Sequence, residues 1–260
     1  MSKIFFCVSA FEGNLDLLKY ADDYVVYVKE GGALSGLPEI YETVPNYGYN
    51  IYSYLNFIVE NYDRLPDRIY FLKNNIYPRH LTEQEFVSQL QGGEDHFFSR
   101  NSISGDLSSF LKDGYFFEIN NSWYLRENRP KYFGSAKKFY EHFFSRSLDE
   151  DYLRFCPGGN VMKTREQIKS RPVEFYKALM RAVDYKVNAP ESFLLERFLD
   201  HIFCPSKRIS NHYADPFLVV TTSALRWSIL ANLAKIRDHF IKFVDRIARK
   251  VFNRSGNYGS

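Results

Sequence analysis

The sequence predicts an α/β fold with a mainly parallel sheet that is flanked by helices and followed by a C-terminal amphipathic helix. Residues 4–8, 24–28 and 68–72 are short apolar runs rich in β-branched and aromatic residues, as buried strands are. Polar residues end each run, and segments with helical spacing of apolar residues lie between the runs. A strand, a helix and a second strand within about 30 residues match the length of one βαβ unit.

Local patterns predict the elements between these strands. Leu15, Leu17 and Leu18 begin a short helix after the polar turn that ends the first strand. Apolar residues recur at helical spacing over residues 51–62, and the polar segment 63–67 ends this second helix. The helix therefore connects the second and third predicted strands.

The second half of the chain is predicted to be mostly helical. Thr82 and Glu85 have capping-box spacing and start a helix, whereas residues 92–129 are polar and irregular. Further elements are a possible strand at 115–119, a helix over 135–146, a helix or helix pair over 164–183 broken at Pro172, and an amphipathic helix that follows Pro190 and bears apolar residues from Phe193 to Ile202. We therefore expect one α/β domain over residues 1–215 and a helical tail over residues 216–260.

The composition narrows the class of protein. Of the 260 residues, 45% are apolar and 25% are charged, which supports one folded core and excludes intrinsic disorder for most of the chain. The formal net charge is only +3, so nucleic acid is not an expected partner. No run approaches the ~20 apolar residues that a membrane-spanning helix needs. Three widely spaced cysteines and the lack of a signal-peptide pattern predict a cytoplasmic protein.

Common catalytic motifs are absent from the sequence. There is no phosphate-binding loop, no dinucleotide-binding glycine pattern, no His-Glu-x-x-His and no Gly-x-Ser-x-Gly. The six histidines are scattered, so a metal cluster among them is not expected. No cofactor is predicted with certainty; a divalent metal remains possible, although the Asp-x-Asp motif that often holds one is missing.

Lys73, Asn74 and Asn75 occupy the end of the third predicted strand, where such a metal motif would be expected. Ligands of open α/β sheets bind at the carboxyl ends of the strands. An ammonium group and two amides can hold a diphosphate or sugar hydroxyls without a metal. The alternative is an ordinary polar transition from strand to loop.

Three blocks of sequence carry a resemblance to a known family. The first spans residues 44–72 and contains Asn-Tyr-Asp-Arg-Leu-Pro-Asp at 61–67 before the apolar strand. The second comprises Gly158-Gly159-Asn160 with residues 164–176, and the third comprises Leu195-Glu196-Arg197 with Ile202-Phe203. In this order the blocks resemble a family of uncharacterised glycosyltransferase-like proteins found in bacterial surface-polysaccharide loci and in fungi.

The sequence departs from that family at two positions. Tyr49-Asn50 stands where the family usually has Arg-Glu after a glycine, so a charged contact at this helix start is missing. The free N–H groups and the dipole of the helix N-terminus can still receive an anion. The third strand ends in residues 73–75 rather than in the Gln or His with Gly that is usual in the family.

The resemblance implies a fold similar to nucleotide-sugar transferases, with the donor over the carboxyl ends of the first strands. On this basis the predicted substrate-binding residues are Ser9, Glu12, Glu30, Asn46, Lys73, Asn74, Asn75 and Asn160. Transfer with inversion needs a carboxylate or an imidazole that takes the acceptor hydroxyl proton. Glu196 and His80 are the candidates for this catalytic role, and the alternative for Glu196 is a salt bridge on the helix surface with Arg197 or a nearby lysine.

The predicted function is therefore transfer of a sugar from an activated nucleotide donor to a glycan or lipid-linked glycan acceptor in surface-polysaccharide assembly. The alternative is a non-catalytic module that binds a glycan or another partner on the same fold. The sequence leaves open the sugar, the linkage and the stereochemical outcome.

The tail is basic and amphipathic. Residues 226–254 carry eight Lys or Arg and two Asp, a net charge of +6, so the rest of the chain carries −3. Apolar residues recur at helical spacing at Leu225, Ile229, Leu233, Ile236, Phe240, Phe243, Val244, Ile247 and Val251. A helix with these two faces is typical of one that lies on an anionic membrane surface. Residues 225–252 thus predict a peripheral location at the inner face of the cytoplasmic membrane, and the alternative is a solvated basic helix docked on the body.

We expect the protein to co-sediment with vesicles that contain anionic lipid and not with neutral vesicles. Binding should weaken as salt rises, because salt screens charges at the surface. Truncation after Ser223 should abolish binding, with the full-length chain as the matched control. Failure of the full-length chain to sediment at any salt concentration would leave the docked helix as the explanation.

Overall fold

The computed structural model describes residues 3–103, 108–120, 130–133 and 135–214. Within these ranges the chain forms a five-stranded sheet with helices on both faces and a separate three-stranded antiparallel sheet. The prediction of an α/β fold with a mainly parallel sheet is confirmed. The basic stretch 225–252 lies outside the described residues.

Eight strands are described. They are β1 Phe5–Gly13, β2 Asp23–Leu34, β3 Tyr41–Val44, β4 Arg68–Lys73, β5 Ser109–Lys112, β6 Tyr115–Ile119, β7 Tyr152–Arg154 and β8 Val161–Thr164. The three apolar runs correspond to β1, β2 and β4, and the possible strand at 115–119 is β6. The short strands β3, β5, β7 and β8 were not predicted.

The α-helices of the described residues follow the predicted order. They are α1 Tyr49–Asn61, α2 Ile76–Arg79, α3 Glu83–Gly92, α4 Ala136–Phe143, α5 Arg165–Lys169, α6 Val173–Arg181 and α7 Pro190–Ile202, with 3-10 helices at Asp16–Tyr20, Tyr62–Arg64 and Arg100–Ser102. Thr82 caps α3 in a capping box, as predicted. Pro172 separates α5 from α6, so the predicted helix over 164–183 is a pair.

The main sheet has the strand order β3-β2-β1-β4-β8. The first four strands are parallel, and β8 pairs antiparallel to β4 at one edge. The chain runs outward from β1 through β2 to β3, and α1 then returns it to β4 on the other side of β1. The connections thus change direction between β1 and β4, and ligands of open α/β sheets bind at such a position, outside the carboxyl ends of the strands.

Side-chain alternation in β1 divides the core into two layers. Phe6, Val8 and Ala10 face an apolar cluster that also contains Leu17 and residues of α3. Ser9 points to the opposite face, where its hydroxyl lies 3.1 Å from that of Ser53 in α1. On this second face α1 packs against α6 and α7.

Two buried charged residues of α7 join the small sheet to the rest of the fold. Arg197 is 1% exposed, pairs with Glu118 of β6 and donates to the carbonyl of Ile119 at 2.8 Å. Asp200 accepts from Arg154 of β7 at 2.7 Å and from Lys163 of β8 at 3.2 Å. Because unpaired buried charges are costly, these pairs fix where the small sheet lies.

The carboxyl end of α7 is held by Arg171, which is 4% exposed. Its guanidinium group donates to the carbonyl oxygens of His201, Ile202, Cys204 and Lys207. The last carbonyls of a helix have no partner within the helix, so one side chain here satisfies several of them. This capping fixes α7, which carries Glu196.

Among the described residues, no helix has the length and the apolar character needed to cross a membrane.

Candidate functional site

A cleft of about 680 Å³ opens at the carboxyl ends of β1, β2 and β4. Its remaining walls come from α1, α2, the 155–160 loop, β6 and α7. Such a volume is within the range of small-molecule sites. Eight of the predicted site residues line it: Ser9, Glu12, Asn46, Lys73, Asn74, Asn75, His80 and Glu196.

Two predicted site residues do not line the cleft. Glu30 is exposed, and its neighbour Lys29 lines the cleft instead, because successive side chains of a strand point to opposite faces. Asn160 is fully buried below the cleft. Its Oδ1 accepts from the backbone N–H of Lys73 at 2.9 Å, so Asn160 positions the end of β4.

Asn74 holds the loop after β1. Its Nδ2 donates to the carbonyls of Glu12 at 2.7 Å and Asn14 at 3.0 Å, and its backbone N–H donates to the carbonyl of Ser9 at 3.0 Å. Asn74 is 6% exposed. Its amide donors are therefore committed to the backbone, and its role is to shape the cleft.

Three cationic side chains line the cleft: Lys29, Lys73 and Arg79. Burial lowers the pKa of Lys73 from its ordinary value, and the Glu196 carboxylate opposes this shift. Neither Lys73 nor Arg79 forms a side-chain hydrogen bond or an ion pair within the described part of the chain. Lys73 and Arg79 are therefore available to contact an anion.

The N-terminus of α1 also faces the cleft. Gly48 and Tyr49 donate their backbone N–H groups to the carbonyls of Lys186 at 3.0 Å and Val187 at 3.2 Å, so these two groups are not free, contrary to the prediction from the sequence. Asn50 and Ile51 follow in the first turn and line the cleft. The backbone N–H groups of this first turn have no partner within the helix and can receive an anion.

The backbone of Gly158 joins the walls of the cleft. Its N–H donates to Oε1 of Glu196 at 3.0 Å, and its carbonyl accepts from Nδ2 of Asn50 at 3.2 Å. The His80 ring packs directly against its α-carbon. Gly158 has φ +85° and Gly159 has φ +67°, and residues other than glycine rarely adopt such values.

His80 and Glu196 differ in what they can do chemically. Burial, together with Lys73 and Arg79, lowers the pKa of His80 to about 4, so its imidazole is neutral at physiological pH. Its Nε2 is buried without a hydrogen-bond partner. Glu196 makes no ion pair with Arg197, which pairs with Glu118 instead. The carboxylate of Glu196 is anchored to the loop through one oxygen and is the better candidate for accepting a proton.

Aromatic side chains form the rim of the cleft. The rings of Tyr49 and Phe193 lie 5.4 Å apart, and those of Phe116 and Phe155 lie 5.1 Å apart. Phe11 is 38% exposed and lines the same cleft. Such faces can contact a planar base or the apolar face of a sugar ring.

Over the described ranges, no three His, Cys, Asp or Glu side chains are grouped as metal ligands. Three carboxylates line the cleft: Glu118 pairs with Arg197, Glu196 accepts from Gly158, and Glu12 is the third.

Sequence reasoning missed Lys29, Arg79 and the unpartnered hydroxyl of Ser192, which is 2% exposed. Lys29 directly follows the apolar run 24–28, so the rule that strand ends bind ligands could have found it. Local signals also marked the other two residues: Arg79 lies between Asn75 and His80, and Ser192 lies one helical turn before Glu196 in α7.

Comparison of the chain with known families, curated proteins and solved structures gave no match.

We expect Gly158→Ala to lower the free energy of unfolding by about 2 kcal/mol or more, because φ is positive and the new Cβ collides with the His80 ring. That Cβ would lie 2.7 Å from Cε1 of His80. Urea denaturation measures the change. The control is Gly36→Ala, whose Cβ meets no atom within 4 Å and which should be neutral or slightly stabilising. Equal stability of the two variants would contradict the role of Gly158.

Proposed function

We propose that this protein is a glycosyltransferase that binds a nucleotide-sugar donor in the cleft at the carboxyl ends of β1 and β4. The observation that carries the proposal is the convergence of Lys73 and Arg79 with the N-terminus of α1 at the point where the strand order reverses. The diphosphate of a nucleotide sugar would contact these cations and the helix N-terminus, and its base and sugar would contact the aromatic side chains of the cleft. The nucleotide-sugar-transferase-like fold is part of the same proposal.

The diphosphate is the part of the donor that we assign to Lys73 and Arg79. Both cations lack an ion-pair partner among the described residues, so a bound diphosphate would gain charge-assisted hydrogen bonds worth ~1.5–3 kcal/mol each. The first turn of α1 adds the backbone N–H of Asn50 or Ile51. The same groups would stabilise the nucleoside diphosphate when it leaves.

Glu196 is the proposed general base. In a direct displacement, the acceptor oxygen bonds to the anomeric carbon as the bond to the donor phosphate breaks, and the hydroxyl proton passes to the carboxylate. The hydrogen bond from Gly158 to Oε1 would hold the carboxylate in place during this transfer. His80, which is neutral, would shape the cleft beside Gly158.

The acceptor and the location are proposed from the sequence. A glycan or lipid-linked glycan of surface-polysaccharide assembly would meet the cleft at the inner membrane surface, and residues 225–252 would hold the protein there.

A non-catalytic binding module is the second candidate function. The observation that favours it is that the side chains of Asn74 and Glu196 both form hydrogen bonds with the main chain of the cleft. Such contacts stabilise a binding site whether or not a reaction follows. The binding module would hold a glycan or another partner, whereas only the transferase would turn over a nucleotide sugar.

We expect nucleotide sugars to raise the melting temperature of the protein, because a ligand that binds only the folded state stabilises it.

Lys73→Met should weaken donor binding by about tenfold to a hundredfold in calorimetry, since it removes one charge-assisted contact. It should not lower stability, because the Lys73 ammonium makes no hydrogen bond within the described residues. Lys112→Met, an exposed lysine of β5, is the control. Absence of any response to nucleotides or nucleotide sugars, with and without manganese, would overturn the proposal.

Glu196→Gln separates the enzyme from the binding module. The amide oxygen of glutamine can still accept from Gly158, so donor affinity should change by less than about threefold, whereas the amide cannot take a proton. We expect release of nucleoside diphosphate, measured with an acceptor glycan mixture, to fall by about 100-fold or more. Binding of donor without release by the unmodified protein would favour the binding module, and release unaffected by Glu196→Gln would exclude Glu196 as the base.

A further inference from the structure

Lys29 is a buried cation of the cleft that the proposed diphosphate contacts do not use. It belongs to β2 and is 3% exposed. Because β2 and β4 pair with opposite sides of β1, and neighbouring strands lie about 4.8 Å apart, the strands that carry Lys29 and Lys73 lie about 10 Å apart. Both side chains line the same cleft. The cleft therefore has two separate cationic positions.

The ammonium of Lys29 is only partly satisfied by the described residues. Nζ donates to the carbonyl oxygen of Tyr47 at 2.8 Å and lies 4.9 Å from the centre of the Tyr52 ring. An ammonium group carries three donors, and no carboxylate of the described residues pairs with this one. An anion from outside the chain would stabilise this ammonium group.

The charged surroundings of Lys29 do not supply that anion. Tyr47 and Tyr52 are the titratable residues in contact with it, and the carboxylates of Glu30 and Asp184 act on Tyr52. Burial lowers the pKa of Lys29 to about 7, with no opposing charge. The ammonium form of Lys29 is therefore disfavoured in the molecule without ligand.

We propose that Lys29 forms a second anion subsite and that the substrate is an acidic sugar whose carboxylate binds there. This inference rests on the proposed function, which assigns the donor diphosphate to Lys73 and Arg79. Two cations on strands about 10 Å apart suit a ligand whose charges are separated by a sugar ring. A neutral sugar would offer no charge that favours the ammonium form of Lys29. The carboxylate belongs to the donor sugar or to the acceptor glycan, and the experiment separates these sources.

The test compares ligand pairs that differ only in the carboxylate: UDP-glucuronate with UDP-glucose, and GDP-mannuronate with GDP-mannose. Calorimetry at pH 7.5 in buffers of different ionisation enthalpy measures affinity and proton uptake together. We expect the acidic member of at least one pair to bind about tenfold more tightly. Its binding should also take up more protons than binding of the neutral member, because the carboxylate favours the ammonium form of Lys29. The difference in affinity between the two members should shrink as the pH rises above 7.5, because protonating Lys29 then costs more free energy.

Lys29→Met is the decisive variant. Methionine has a similar volume without the charge, so the variant should fold and should bind the neutral donor and inorganic diphosphate as the unmodified protein does. The preference for the acidic donor and the extra proton uptake should both disappear. Lys112→Met is the matched control and should keep both.

A second arm addresses the acceptor. Free glucuronate and glucose are titrated into protein loaded with UDP-glucose or GDP-mannose, and a Lys29-dependent preference for glucuronate would assign the carboxylate to the acceptor. Equal binding of acidic and neutral sugars in both arms, or a preference that survives Lys29→Met, would overturn the inference alone. Failure of every donor to bind would overturn the proposed function, and this inference with it.

Discussion

The cleft depends on the backbone of Gly158. Its N–H donates to Glu196 and its carbonyl accepts from Asn50, so one residue connects α7, the 155–160 loop and α1. The close approach of the His80 ring leaves no room for a side chain at this position. Because both hydrogen bonds are made by polar side chains that line the cleft, the same contacts that hold α7, the loop and α1 together also orient the candidate catalytic groups.

Electrostatics determine what this cleft can hold. Lys29 and Lys73 are desolvated at the carboxyl edge of the sheet, and burial lowers the pKa of both. A protein that keeps such cations without carboxylate partners sacrifices some stability, since their hydration is lost without compensation. An anionic ligand would supply the missing interactions, which is the physical basis of the proposed diphosphate and acidic-sugar contacts.

The sequence located residues at one strand end. Lys73, Asn74 and Asn75 lie in the cleft because the end of β4 lies there, and their binding of a ligand stays a prediction. The sequence did not determine side-chain direction. Glu30 does not line the cleft while Lys29 does, and the amide donors of Asn74 bind the backbone, although the resemblance implied substrate-binding roles for both Glu30 and Asn74. The membrane and transferase predictions remain predictions.

The sequence by itself determined the central strands and the sheet edge at which a ligand would bind, because parallel strands buried on both faces appear as continuous apolar runs. Only the tertiary structure decided which polar groups meet there. Asn50 reaches Gly158 across 108 positions of the chain, and Lys73 meets Asn160 across 87. The pairing of β8 with β4 and the anchoring of the small sheet by Arg197 are equally long-range. Local patterns carry no information on such contacts, since their free energy arises only when distant segments pack together.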